Sequence, residues 1–155
     1  MKKWVTIGAI VIAASGCATL PPTEQMKSET RNYHLPKLPD SGKAVVYIVR
    51  PASIGGLIRF NVFVDDKQPE SEMGYTRSRE YIYFNVPPGE HKIYSKAENW
   101  AETDIFAKSG DIIFIQQEPE IGLIMARNSL FKLDDLVGKY NVKMLTLGTI
   151  EKTEK

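Results

Sequence analysis

From Lys43 to about Ile150 the chain predicts a mainly β domain: a two-layer antiparallel β-sandwich with one short C-terminal helix. Short runs rich in Val, Ile, Phe and Tyr recur there between turn residues. Several runs alternate apolar and polar side chains, the pattern of a strand with one covered face. This region contains no cysteine, so core burial alone must hold it. A domain of this size buries roughly 60–70% of its unfolded surface, which suffices without crosslinks. Two packed sheets are the simplest way to cover alternating faces.

Ala44 to Val49 is nearly all apolar and reads as a strand buried on both faces. Arg50-Pro51 ends it, since proline donates nothing to a ladder. Ala52 to Leu57, with Gly55-Gly56, is a loop. Phe60, Val62 and Val64 share one face of the next strand, and Asp65-Asp66-Lys67 turn it. Met73 to Tyr75 is a short strand. In Tyr81 to Val86, Ile82, Phe84 and Val86 point one way while Tyr81, Tyr83 and Asn85 point the other. Pro87-Pro88-Gly89 turns the chain into His91 to Ser95. Glu102 to Ala107 follows, and Ser109-Gly110-Asp111 leads to the apolar strand Ile112 to Ile115. Glu118-Pro119-Glu120 and the residues to Gly122 read as a solvated acidic loop. Met125 to Leu133 is extended. Asp134 and Asp135 open a helix through Tyr140, where acidic side chains meet the positive end of the helix dipole. Val142 to Leu147 is expected as a last strand and Glu151 to Lys155 as a frayed tail.

The residues before the domain carry a different signal. Lys2 and Lys3 precede an apolar run from Trp4 to Ala14, then the small residues Ser15 and Gly16, then Cys17. The run is shorter than the roughly 20 residues of a spanning helix, and residues 1–16 have the order of a signal peptide. Ala14-Ser15-Gly16-Cys17 resembles a bacterial lipobox. The resemblance implies a diacylglyceryl group on the Cys17 sulfur, cleavage before Cys17 and acylation of the new amine. Each buried methylene adds about 0.8 kcal/mol of membrane affinity, so several long chains hold effectively permanently. Ala18, where an Asp commonly retains such proteins in the inner membrane, resembles the class sorted to the periplasmic face of the outer membrane. Residues 17–42 then form a lipidated N-terminus and a flexible tether. Pro21, Pro22, Pro36 and Pro39 stand there among polar residues, too little apolar surface to offset the entropy of ordering. Extended, it reaches roughly 80 Å, with Glu24 to Glu29 as a helical turn and His34 a solvated residue.

Cys17 is the only cysteine, so lipidation leaves no thiol chemistry and no disulfide. The whole chain has 20 basic and 19 acidic side chains, and loss of Lys2 and Lys3 leaves 18 against 19. That balance gives no electrostatic reason to expect nucleic acid.

Between Lys43 and about Leu147 the chain resembles a bacterial family catalogued as domain of unknown function 2846. The matching features are Ala44-Val45-Val46-Tyr47-Ile48-Val49-Arg50-Pro51, the turn Val64-Asp65-Asp66, Pro88-Gly89-Glu90-His91, and Ser109-Gly110-Asp111 before an apolar strand. The resemblance implies a lipoprotein with a transthyretin-like, or prealbumin-like, sandwich, and it brings no reaction or ligand. Asp66 departs from it, since relatives often carry Gly in that turn.

No usual catalytic constellation is present: no Gly-x-Ser-x-Gly elbow, phosphate loop or His-Glu-x-x-His. Two histidines offer little for zinc. His91 reads as a strand-start residue with a satisfied ring rather than a general base, and the pairs Asp65-Asp66 and Asp134-Asp135 as turn and cap residues. Neither a catalytic residue, a metal site nor a cofactor is expected. Tyr81 and Tyr83 are the candidate binding residues: if they face outward, with Tyr75, Tyr94 and Trp100 nearby, they can stack on a glycan ring or anchor a protein. Packing beneath a loop or the tether is the plainer expectation. Arg50 is the third candidate, able to fork onto Asp65 or Asp111, or onto a ligand anion. The expected function is a non-enzymatic, membrane-anchored envelope lipoprotein whose sandwich binds an envelope protein partner. The alternative is carbohydrate or peptidoglycan binding through the tyrosine face.

Overall fold

The computed structural model describes residues 20–123 and 126–155. The expected signal segment 1–16 and the candidate lipidation site Cys17 lie outside the described residues. Elements run in the order α1 (Thr23–Thr30), β1 (Ala44–Arg50), β2 (Phe60–Val64), β3 (Glu72–Thr76), β4 (Glu80–Val86), β5 (Gly89–Lys96), β6 (Trp100–Ala107), β7 (Ile112–Ile121), β8 (Ala126–Leu133), α2 (Asp135–Met144), β9 (Thr146–Leu147) and β10 (Thr149–Ile150). One sheet has the order β8-β7-β1-β4-β9 and the other β10-β3-β2-β5-β6. They pack face to face as the expected sandwich. Val46, Ile48, Ile82, Phe84 and Ile115 of the first sheet meet Val62, Val64, Met73, Ile93 and Ile105 of the second.

The first sheet is mixed rather than wholly antiparallel. β1 pairs antiparallel with β4 but parallel with β7, and β4 pairs parallel with β9. The cause is the intervening hairpin: β5 and β6 pair in the second sheet and return the chain to the end where β1 begins. There Gly110 N donates to Lys43 O (2.8 Å) and Val45 N to Asp111 O (2.9 Å), so β7 leaves in the direction of β1.

Several expected boundaries move. The acidic loop at Glu118-Pro119-Glu120 is strand, because β7 pairs with β8 as far as Ile121↔Ala126. Beyond Gln116 β7 has no further partner on β1, and a proline suits a strand open on one side. The expected strand over Val142 to Leu147 is mostly helix: α2 runs to Met144, and Val142 and Leu145 pack on the outer face of the first sheet. Asp134 caps α2 by accepting from Val137 N at 2.9 Å. The expected frayed tail is bonded, with Asn85 N donating to Thr153 O (2.8 Å) and Glu151 N to Met73 O (2.9 Å). The left-handed residue of the β2 turn is Asp65 (φ 70°), one position before the Asp66 departure.

The largest correction concerns the tether. From Leu20 onward it is packed on the domain. α1 lies against α2 with Met26 and Thr30 buried, and Lys143 Nζ donates to Glu29 O at 2.7 Å. Residues 31–40 then cross the outer face of the first sheet. The Tyr47 hydroxyl donates to Lys37 O (2.6 Å) and accepts from Lys37 N (2.8 Å), and Asn85 Nδ2 donates to Asp40 Oδ2 at 2.6 Å. A polar, proline-rich composition understates this segment, because three of its apolar side chains, Met26, Tyr33 and Leu35, find cover, while Leu20 and Leu38 stay exposed.

Candidate functional site

Tyr81 and Tyr83 point away from Ile82 and Phe84, as the alternation predicts, but they do not form an exposed face. Tyr81 is 8% exposed. It belongs to a second core with Val45, Tyr47, Phe114, Val142 and Leu145, against which Tyr33, Leu35 and Tyr83 pack. The Tyr47 ring lies 6.2 Å from Tyr81, 5.7 Å from Tyr83 and 5.5 Å from Phe114. Burial pushes the Tyr47 and Tyr81 hydroxyls above the ordinary tyrosine range. Residues 31–40, a strap across the first sheet, and α2 therefore occupy the place assigned to a glycan. Tyr94 and Trp100 are not neighbours of this face. They sit on the second sheet, 6.4 Å apart, with Phe63 5.2 Å from Trp100.

Arg50 is wholly buried at the end of β1. Its guanidinium donates to the carbonyls of Ile58 (2.6 Å), Ile54 (3.0 Å) and Gly55 (3.0 Å), and lies 3.8 Å from the centre of the Phe60 ring. It staples the 51–59 loop, as expected, but through backbone carbonyls rather than a carboxylate. The proposed partners are at the other end of the sandwich: Asp65 meets His91, and Asp111 accepts from Lys108 N. Burial lowers Arg50 to about 10, opposed by the fields of Glu80 and Glu118. With NH1 and NH2 both bonded inward, no fork is left for a ligand anion. Beside it runs a buried polar chain that single-residue reading missed. Thr76 Oγ1 donates to Gln117 Oε1 (2.5 Å), Gln117 Nε2 donates to Ser95 Oγ (2.7 Å), and Asn99 and Asn128 exchange bonds of 2.8 and 2.9 Å. It ties the β7–β8 hairpin to the second sheet.

His91 lines an open cleft of about 610 Å³ with Asp65, Glu90, Asp104, Phe106 and Lys132. Its Nδ1 is 3.0 Å from Asp65 Oδ1 and its Nε2 2.8 Å from Pro87 O. Both partners are acceptors. The ring clasps the β2 turn to the Pro87 turn. Among the described residues no three His, Cys, Asp or Glu side chains converge as a metal set.

The remaining feature is the pole opposite His91, where the 51–59, 77–79 and 97–99 connections meet the adjoining ends of β7 and β8. Arg79 N donates to Arg50 O (2.9 Å), and Glu98 N donates to Ala126 O (3.1 Å). A Cβ on Gly55 would lie 3.7 Å from Ala126 Cβ, so the 51–59 loop lies beside the start of β8. Large apolar side chains stand out from them: Ile54 (61% exposed), Leu57 (93%), Ile121 (96%) and Leu123 (93%). Leu20 and Pro21 line a cleft of about 350 Å³ with Pro51, Arg79 and Met144, so the described chain begins at this pole. The signal in the sequence was present but weak: apolar residues beside Gly55-Gly56 and Gly122, in segments otherwise read as loop. No helix among the described residues is long and apolar enough to cross a membrane.

The sequence profile of the family described as "Protein of unknown function (DUF2846)" matches residues 40–129. The chain is also similar to an uncharacterized protein of Haemophilus influenzae, 26% identical over 144 residues that cover 92% of this chain and 82% of that protein.

Proposed function

This chain belongs to the DUF2846 family of proteins of unknown function, and from that premise we propose that it is a lipid-anchored envelope protein whose non-catalytic β-sandwich binds an envelope protein partner. The observation that carries the anchor is the sequence Ala14-Ser15-Gly16-Cys17 after a short apolar run headed by Lys2 and Lys3. Ala18 favours the periplasmic face of the outer membrane. The non-catalytic reading is supported by the side chains with reactive chemistry: Arg50 and His91 are both turned to internal bonds. The partner reading is supported by the outer face of the second sheet, which carries Tyr94 and Trp100, and by exposed Phe106 on its edge strand β6.

Mass spectrometry of the protein from membranes is expected to find an acylated N-terminus at Cys17, and Cys17→Ser to move the protein out of the membrane fraction. An intact Met1 N-terminus on membrane-bound protein refutes the anchor. For the partner, a photo-crosslinking residue at Phe106 in intact cells is expected to capture one envelope protein. Capture of nothing above background ends that half of the reading.

A further inference from the structure

We propose that the pole carrying Leu57, Ile121 and Leu123 is seated in the surface of the bilayer, with Arg59, Lys96 and Arg127 meeting anionic headgroups. This rests on the lipid anchor proposed above and adds which face of the domain the membrane covers. The first support is where the described chain begins. Leu20 lines a cleft with Pro51, the residue that opens the 51–59 loop. Cys17 lies three residues earlier, within about 11 Å of Leu20 even if the chain is fully extended. With the strap docked on the first sheet, this pole cannot be carried far from an anchor at Cys17.

The second support is the distribution of apolar surface. Leu57, Ile121 and Leu123 are almost fully exposed, whereas none of the opposite turns at 65–71, 87–88 and 108–111 has an exposed large apolar residue. Solvated loop tips have no folding reason to carry such side chains, and exposed clusters of them mark contact surfaces. The tips stand on separate connections rather than in one packed patch. A fluid interface accepts separate tips without shape complementarity, while a protein surface has to match their relief.

Charge is the third support. Arg59, Arg77, Lys96 and Arg127 are exposed at this end, and among the described residues none of them forms a salt bridge. Glu80, Glu98, Glu118 and Glu120 are the nearby acids, of which Glu80 Oε2 accepts from Arg77 N at 2.7 Å and Glu98 Oε1 from Leu123 N at 3.3 Å. Cations rimming apolar tips match an interface in which phosphate groups lie above acyl chains.

The test uses the lipidated protein in vesicles of phosphatidylethanolamine and phosphatidylglycerol. Cys17 is the only cysteine, and its sulfur is blocked by the lipid, so a thiol introduced elsewhere is labelled alone. An environment-sensitive fluorophore is placed in Leu57→Cys, Leu123→Cys and, at the opposite pole, Ser109→Cys. All three sites are exposed, so folding is not at stake. The expected result is a blue shift and quenching by spin-labelled lipid at the first two positions and neither at Ser109→Cys. Equal, water-like emission from all three probes on protein that floats with the vesicles overturns the seated pole and leaves the anchor standing. Protein that does not float overturns the anchor and this inference with it.

Discussion

Tyr47 shows how one hydroxyl serves both packing and the placement of the strap. It is buried in the middle of the first sheet's outer face, and its oxygen both donates to and accepts from Lys37. Tyr47→Phe leaves the Lys37 amide and carbonyl without that partner, and urea titration is expected to show a loss of about 1–3 kcal/mol. An unchanged midpoint would mean the strap is not held there. Burial raises the Tyr47 hydroxyl above its ordinary 10.0, and Tyr81 and Tyr33 shift the same way. Above pH 10 the unfolded chain therefore releases tyrosine protons that the folded chain keeps. Stability is level below pH 10 with respect to these groups and falls as pH rises past it, and Tyr47→Phe flattens the fall. Arg50 acts in the opposite sense, because burial lowers its folded form to about 10, below the unfolded guanidinium, which offsets part of the decline. The direction in which Tyr81 and Tyr83 point was legible from strand alternation. What covers them was not, because period two assigns a side chain to a face and says nothing of what lies over that face.

At the scale of elements, α2 depends on a residue without a side chain. Gly138 is buried where α2 crosses β7, and an added Cβ would come within 2.5 Å of Phe114 Cβ and Cδ2. Alanine improves intrinsic helix propensity by up to about 1 kcal/mol, but the overlap is with the stem of a core ring and overpacking costs about 1–3 kcal/mol. We therefore expect Gly138→Ala to lower the denaturation midpoint; a rise would show that helix and sheet are not in this contact. The same helix explains an error of reading. Val142 and Leu145 look like part of a last strand, but they are three apart and face one sheet from a helix. The reading of β7 as Ile112 to Ile115 is six residues too short because Pro119 and two glutamates signal a loop, and tertiary pairing with β8 overrides that signal.

Over the whole molecule, the two sheets are joined at one side by the C-terminal segment. β9 pairs with β4 of the first sheet and β10 with β3 of the second, and residues 151–155 bond to Met73 and Asn85. Gly74 is required beneath it, since its backbone is left-handed (φ 143°) and a Cβ would be 3.1 Å from Ile150 Cα. Deleting residues 149–155 keeps β9 but removes the β10 pairing and the bonds to Met73 and Asn85, and uncovers an edge of the core. We expect thermal unfolding to show a loss of at least about 2 kcal/mol, and unaltered stability would mean the tail adds nothing to closure. The sequence by itself determined the β class, the positions of the strands around Ala44–Val49 and Tyr81–Val86, and the inner faces that form the core, because each follows from local periodicity and turn chemistry. Tertiary structure alone decided that β1 and β7 run parallel, that residues 20–42 are a docked strap, and that apolar loop tips gather where the chain enters. Each of these depends on surfaces far apart in the chain meeting, and no local pattern records that.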